Sequence, residues 1–137
     1  MRDFIGAKVA LINRNKVLVI LRDSKPDIVF PGMWDFPGGY REEGETPSQA
    51  AIRETKEELS LDITADEVVW EKVYPSVVDA SKDALFMVVH VTDEQLKAVA
   101  FGDEGQEWKM MPFGDFIYHK NAVPGMQTRL RDYLAQR

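Results

Sequence analysis

Residues 38–61 read GGYREEGETPSQAAIRETKEELSL. A glycine pair leads into an acidic loop, and the loop opens a helix. Thr46 suits an N-cap, Pro47 suits the first helical position, and Gln49 completes a Thr-x-x-Gln capping box. From there a turn of about 100° per residue puts Ile52, Thr55 and Leu59 on one face and Glu54, Glu57 and Glu58 on the other. The helix is expected to pack through the first stripe, to present carboxylates on the second, and to end near Leu59 or Ser60. Three carboxylates crowded on adjacent turns repel one another. A hard divalent cation such as Mg²⁺ or Mn²⁺ relieves that repulsion, because oxygen ligands are what these ions prefer. The stretch is therefore a candidate metal site.

Before it, residues 7–12 and 17–21 are short runs rich in Val and Ile, separated by the polar Asn13-Arg14-Asn15-Lys16. They read as a β-hairpin. The second run, VLVIL, does not alternate, so it is expected to be buried on both faces. Residues 22–33 carry Pro26, Pro31 and Gly32 and read as a loop, followed by a brief extended piece, Trp34-Asp35-Phe36. After the central helix, residues 68–74 and 85–91 read as two more strands, with a loop over 75–84 between them. Thr92 and Gln95 form another capping box ahead of a short helix. Residues 101–105 are a loop, 107–111 a last strand, and a final helix after Pro124-Gly125 carries Met126, Leu130, Tyr133 and Leu134 at helical spacing. Strands interleaved with helices predict an α/β or α+β sandwich.

The 137 residues are expected to form one domain, at 45% hydrophobic and 29% charged the composition of an ordinary globular protein. With no cysteine there is no disulfide, thiolate site or cysteine nucleophile. No apolar run approaches a membrane span, and the N-terminus lacks a signal-peptide pattern, so a cytoplasmic location is expected. A net charge of −6 argues against a nonspecific binder of nucleic-acid backbone. It does not exclude a small phosphorylated ligand, because a cation held by the glutamates reverses the local field.

The 38–61 stretch resembles the Nudix box, G-x5-E-x7-R-E-U-x-E-E-x-G-U with U a bulky aliphatic. Gly39, Glu45, Arg53, Glu54, Glu57, Glu58 and Leu61 fall on the pattern at its spacing. Thr55 stands where an aliphatic is usual, and Ser60 where a glycine is usual. Thr55 should cost some packing, and Ser60 should strain the helix exit, since a positive φ favours glycine. Trp34-Asp35-Phe36-Pro37-Gly38-Gly39 and Glu104-Gly105-Gln106 resemble corresponding segments of the MutT branch.

The resemblance implies an α/β/α sandwich with a mixed β-sheet between helices. It implies hydrolysis of a phosphoanhydride in a nucleoside diphosphate derivative, with Mg²⁺ or Mn²⁺ as cofactor. Glu54, Glu57, Glu58, the Gly38 carbonyl and a glutamate of a later loop would be the metal ligands. Glu104 is the candidate for the last, with Asp103 and Glu107 as rivals. Such chemistry needs a carboxylate to take the proton of water. Glu54 is the first choice, with Glu57, Glu58 and Glu104 open. Arg53 is expected to pair with Glu45 as a brace. Phe36 would wall a base pocket, Asn121 would read a base edge, and Arg22 would meet phosphate or base. His90 and His119 receive no role.

The leading expectation is a MutT-like nucleoside triphosphate pyrophosphohydrolase giving the monophosphate and pyrophosphate, with 8-oxo-dGTP a candidate substrate. The alternatives are hydrolysis of ADP-ribose, a nucleotide sugar or a dinucleotide, and a nucleotide sensor that does not hydrolyse. Either a monomer or a homodimer is compatible with the sequence.

Overall fold

The computed structural model describes residues 3–137. A seven-stranded mixed sheet is its centre, with strands running β3-β2-β1-β6-β5, β4 paired to β1, and β7 paired to β2. In chain order these are β1 (Phe4–Asn13), β2 (Lys16–Leu21), β3 (Trp34–Asp35), β4 (Gly38–Tyr40), β5 (Val68–Pro75), β6 (Asp83–His90) and β7 (Glu107–Pro112). The helices are α1 (Pro47–Leu59), α2 (Asp93–Lys97), α3 (Phe113–Ile117) and α4 (Pro124–Gln136). The expected α/β class is therefore observed, with helices on both faces of a mixed sheet.

The expected hairpin joins β1 to β2, with Ile12 opposite Val17 and Asn13 opposite Lys16. Arg14 and Asn15 both take positive φ, the arrangement that lets a two-residue turn match strand twist. β1 then runs parallel to β6 from Phe4 to Ile12. Because side chains alternate along a strand, this central pair feeds two cores. Ala10, Ile12, Phe86 and Val88 pack on the side of α3 and α4, with Met126 and Leu130. Val9, Leu11, Met87 and Val89 pack on the opposite side, with Ala51 and Leu59 of α1. Val17, Leu18, Val19 and Ile20 of β2 are all buried, divided between the same two cores as their lack of alternation predicts.

α1 begins and ends where its sequence says. The Thr46 hydroxyl accepts from the Gln49 N–H, the Gln49 side chain accepts from the Thr46 N–H, and Ser60 closes the helix. Its buried residues are Ala50, Ala51, Thr55 and Leu59, with Ile52 half-buried. Both departures from the family pattern have visible consequences. Thr55 is fully buried, and its hydroxyl has no hydrogen-bond partner among the described residues. Ser60 sits at φ 56° in the left-handed region. The short β4, the 3-10 turn over Ala65–Glu67 and α3 were not anticipated. All three are too short to show a period in sequence.

Candidate active site

β4 is where the glycine pair matters. Gly38 and Gly39 pair with Lys8 and Ala7 of β1. A side chain on Gly38 (φ 132°) would meet the Ala7 carbonyl oxygen at 2.2 Å, and one on Gly39 would meet the Glu54 carboxyl carbon at 2.9 Å. The pair therefore lets β1 and the Glu54 side chain of α1 both lie close against β4.

Arg53 fixes the acidic loop to this helix. Its Nε and Nη2 donate to the two oxygens of Glu45 at 2.7 and 3.0 Å, a bidentate pair, and Nη2 also donates to the Tyr40 carbonyl at 3.1 Å. This matches the expected brace, and it holds the Glu45 carboxyl below the usual carboxylate range. Nη1 reaches further than expected, donating to Glu54 at 2.9 Å and to Glu57 at 3.3 Å.

The three glutamates are not equivalent. Glu57 is more than half exposed. Glu54 is partly enclosed, and burial pushes its carboxyl up, opposed by Arg53 and reinforced by Glu57 and Glu104. Glu58 is the deepest. Burial pushes its carboxyl up to about 7, against the hydrogen bond it accepts from the Gly38 N–H at 3.0 Å and the nearby charge of Lys8. The helix face expected to be solvated is thus graded, from open at Glu57 to enclosed at Glu58.

The loop carrying Glu104 is tied to the end of α1. The Ala100 N–H donates to the Leu59 carbonyl at 2.9 Å, and the Gly102 N–H to the Glu58 carbonyl at 2.8 Å. These bonds satisfy carbonyls that the helix end leaves free. They also bring Asp103 and Glu104 over the cavity that Glu54, Glu57 and Glu58 line. Glu107, the other rival, lies on β7 outside it.

The donor set suits a hard divalent cation: every candidate is an oxygen, and Glu54 and Glu58 hold carboxylate charge that burial disfavours. Among the described residues no three acidic side chains stand ready to ligate an ion. Arg53 draws Glu54 and Glu57 one way, and Gly38 draws Glu58 the other. Ligation requires side-chain movement away from these bonds.

The cavity itself has a volume of about 680 Å³, within the range of small-molecule sites. α1 and the 103–105 loop wall it from one side of the sheet, and α4 with residues 76–78 wall it from the other. Phe36 reaches it, as expected, but is 2% exposed and stacks on Phe116 at 4.7 Å, so it is chiefly core. Arg22 lines it too, donating to Asp35 at 3.1 Å and to the Val29 carbonyl at 2.9 Å. Asn121 is not brought there. It is exposed in the turn before α4, where its backbone bonds Trp34 and His119. The residues of that region that do line the cavity lie further along, at Val123, Met126 and Arg129.

Lys8, Asp35 and Arg129 are cavity residues that sequence reasoning passed over. Asp35 is 5% exposed and accepts from Lys8, Arg22 and its neighbour Phe36. A signal for Arg129 was present: it lies three residues after Met126, on the stripe that Leu130 and Tyr133 bury.

Comparison with known proteins agrees with this geometry. The NUDIX domain model matches residues 4–133. An 8-oxo-dGTP diphosphatase from Proteus vulgaris is 42% identical over 60 residues, which is 44% of this chain and 52% of that protein. An RNA pyrophosphohydrolase from Nitratiruptor sp. is 26% identical over 131 residues, covering 86% of this chain and 82% of that one. The structure of a MutT protein from Methanosarcina mazei Go1 has a TM-score of 0.73 at 16% identity, covering 98% of this chain and 96% of that one, a likeness of fold. The chain spans 27% to 52% of the length of the first three curated relatives it matches. Among the described residues no helix is long and apolar enough to cross a membrane. A match that runs from the first residue of β1 into the last turns of α4 takes in every element of the cavity, and the chain belongs to the Nudix domain family.

Proposed function

We propose that this domain is a phosphoanhydride hydrolase acting on a nucleoside triphosphate and releasing the monophosphate and pyrophosphate, with 8-oxo-dGTP among the candidate substrates. One observation carries the reading: Glu54, Glu57 and Glu58 of α1 share one cavity with the Glu104 loop, and that cavity is large enough for a nucleotide. These side chains and the Gly38 carbonyl would hold Mg²⁺ or Mn²⁺. When bound, such an ion neutralises phosphate oxygens and makes water more acidic.

The chain's own residues do the rest. Gly39 lets the Glu54 carboxyl lie directly against the β4 backbone. Arg53 anchors the acidic loop, so the carboxylates approach from a fixed direction. Glu54, whose carboxyl burial pushes up, would accept the proton of the attacking water. Lys8 and Arg22 offset the charge of Asp35, so this second acidic group does not repel the substrate. The 8-oxo-dGTP diphosphatase relative supports a triphosphate substrate.

The test is a panel of nucleoside triphosphates, including 8-oxo-dGTP, with ADP-ribose and a dinucleotide, in Mg²⁺ or Mn²⁺ with products identified. Pyrophosphate released from a triphosphate is the expected result. AMP from ADP-ribose at far higher efficiency overturns the triphosphate reading. Tight nucleotide binding with no metal-dependent product overturns the assignment as an enzyme.

A further inference from the structure

Arg129 is 2% exposed, on the α4 wall of the cavity. A guanidinium has five N–H donors and is charged at any working pH. Among the described residues, its one hydrogen-bond acceptor is the Pro75 carbonyl, at 3.3 Å from Nη2, and no carboxylate lies within ion-pair distance. Asp35, the acidic residue of the cavity nearest in effect, already accepts from Lys8, Arg22 and Phe36. A buried cation held by one carbonyl and an aromatic face, with no carboxylate beside it, is costly. Arg129 lines the cavity, so the donors that the Pro75 carbonyl leaves free are within reach of a ligand held there.

The group is also held still. Its carbon lies 4.9 Å from the centre of the Tyr74 ring, and the Tyr74 hydroxyl donates to Asp132 of α4 at 2.8 Å. Around it the wall is apolar: Val77, Val78, Ala84, Val123 and Met126 line the same cavity. Val77 and Val78 remain 43% and 38% exposed, so there is apolar surface for a flat ring to cover. Gly125 permits this approach, since a side chain there would meet Val77 at 2.4 Å.

We propose that Arg129 is a specificity-determining residue that donates two parallel hydrogen bonds to a nucleobase edge bearing two adjacent acceptors. This rests on the nucleotide reading of the same cavity. Guanine offers such an edge at O6 and N7, and cytosine at O2 and N3. Adenine sets an amino donor beside N7, and uracil or thymine sets an N–H between its two carbonyls. Oxidation of guanine at C8 places a hydrogen on N7, so the oxidised base loses the paired edge. The cavity then prefers unmodified guanine or cytosine to adenine, uracil and 8-oxoguanine, which ranks 8-oxo-dGTP low among the candidate triphosphates.

Two measurements decide this. The first is binding of GMP, CMP, AMP, UMP and 8-oxo-dGMP to the wild-type domain in EDTA, which needs no turnover. GMP or CMP is expected to bind about tenfold or more tightly than the others. Equal affinities, a preference for AMP, UMP or 8-oxo-dGMP, or no detectable binding of any overturns the proposal. The guanine and cytosine arms distinguish the two bases that share the edge. The second is kcat/KM on the triphosphates for Arg129→Gln and Arg129→Lys. In Arg129→Gln the preference is expected to collapse, and in Arg129→Lys, which keeps the charge but loses the fork, to fall part-way. A uniform fall on all bases with the preference intact means that Arg129 only holds α4 to β5, and overturns the proposal. If no triphosphate is hydrolysed, the proposed function fails, and the monophosphate affinities still decide the role of Arg129.

Discussion

α1 and α4 are each 13 residues long, each begins with proline, and they wall one cavity from opposite sides of the sheet. They are anchored by different forces. α1 buries mostly small side chains, Ala50, Ala51 and Thr55, with Leu59 as its one large fully buried residue. Its position comes from polar ties: the capping box, the Arg53–Glu45 pair, the Glu58–Gly38 bond and the loop bonds at its end. α4 has no side-chain cap and is held chiefly by Met126, Leu130 and Tyr133 in the core shared with Phe36 and Phe86, with Gln127 donating to the Phe116 and His119 carbonyls and Asp132 accepting from Tyr74. A wall held by directional bonds can present charges at a set geometry while its exposed face changes freely. A wall held by packing doubles as core, so changes to it affect the fold as well as the ligand.

The sharpest way to break this contrast is to neutralise one carboxylate of α1. Glu58→Gln and Glu57→Gln are each expected to lower turnover by about a hundredfold or more with the fold intact, by kinetics at saturating Mg²⁺ and circular dichroism. An unchanged rate in either removes that residue from the metal site.

The same Glu58→Gln chain tests the electrostatics without catalysis. The folded carboxyl is raised to about 7 from an ordinary 4.5, so the folded chain holds this proton more tightly than the unfolded chain. Below pH 4.5 the group costs nothing. As pH rises from 4.5 to 7 the cost of burying its charge grows, to roughly 3 kcal/mol. Glu58→Gln is therefore expected to raise the melting temperature of the metal-free domain above pH 7 and to leave it unchanged near pH 4. A lower melting temperature at both pH values would show that burial does not penalise this carboxylate.

On the α4 wall the order of effects reverses. Met126→Ala is expected to cost about 2–5 kcal/mol in urea unfolding, because Met126 is 1% exposed and its removal leaves a cavity. A loss of activity without loss of stability there would erase the distinction between the walls.

The smallest effects lie at the two departures from the family pattern. Thr55→Val removes an enclosed hydroxyl that has no partner and should stabilise by about 1 kcal/mol. Ser60→Gly relieves a left-handed residue and should stabilise by about 1 kcal/mol or less, offset by the freedom glycine gains in the unfolded chain. Both are read from unfolding midpoints, with turnover unchanged.

What was legible follows from range. Thr46, Pro47 and Gln49 act within one turn, so the start of α1 could be read directly. The two-core burial of β2 could be read from its unbroken apolar run, and Glu45 and Arg53 could be paired because the family pattern fixes their spacing. Asn121 was placed by analogy at the base and lies outside the cavity, because the turn before α4 sends its side chain to solvent. Phe36 lines the cavity, yet Phe86 and Phe116 claim its ring.

The sequence by itself determined the chemistry of residues 38–61: their glycines, their capped helix and their row of glutamates are local, and local order is written in short spacings. It also determined the layered fold, through two periodicities. Tertiary structure alone decided which glutamate is deep and which is open, since that depends on β4 and the 100–104 loop closing over Glu58 from 20 and more residues away. It alone decided that Arg129 lies against Tyr74 and Pro75 in the cavity wall, because that contact joins residues more than 50 positions apart. Residues 38–61 carry their row of carboxylates in the sequence itself; the wall that faces them across the cavity exists only once the chain has folded.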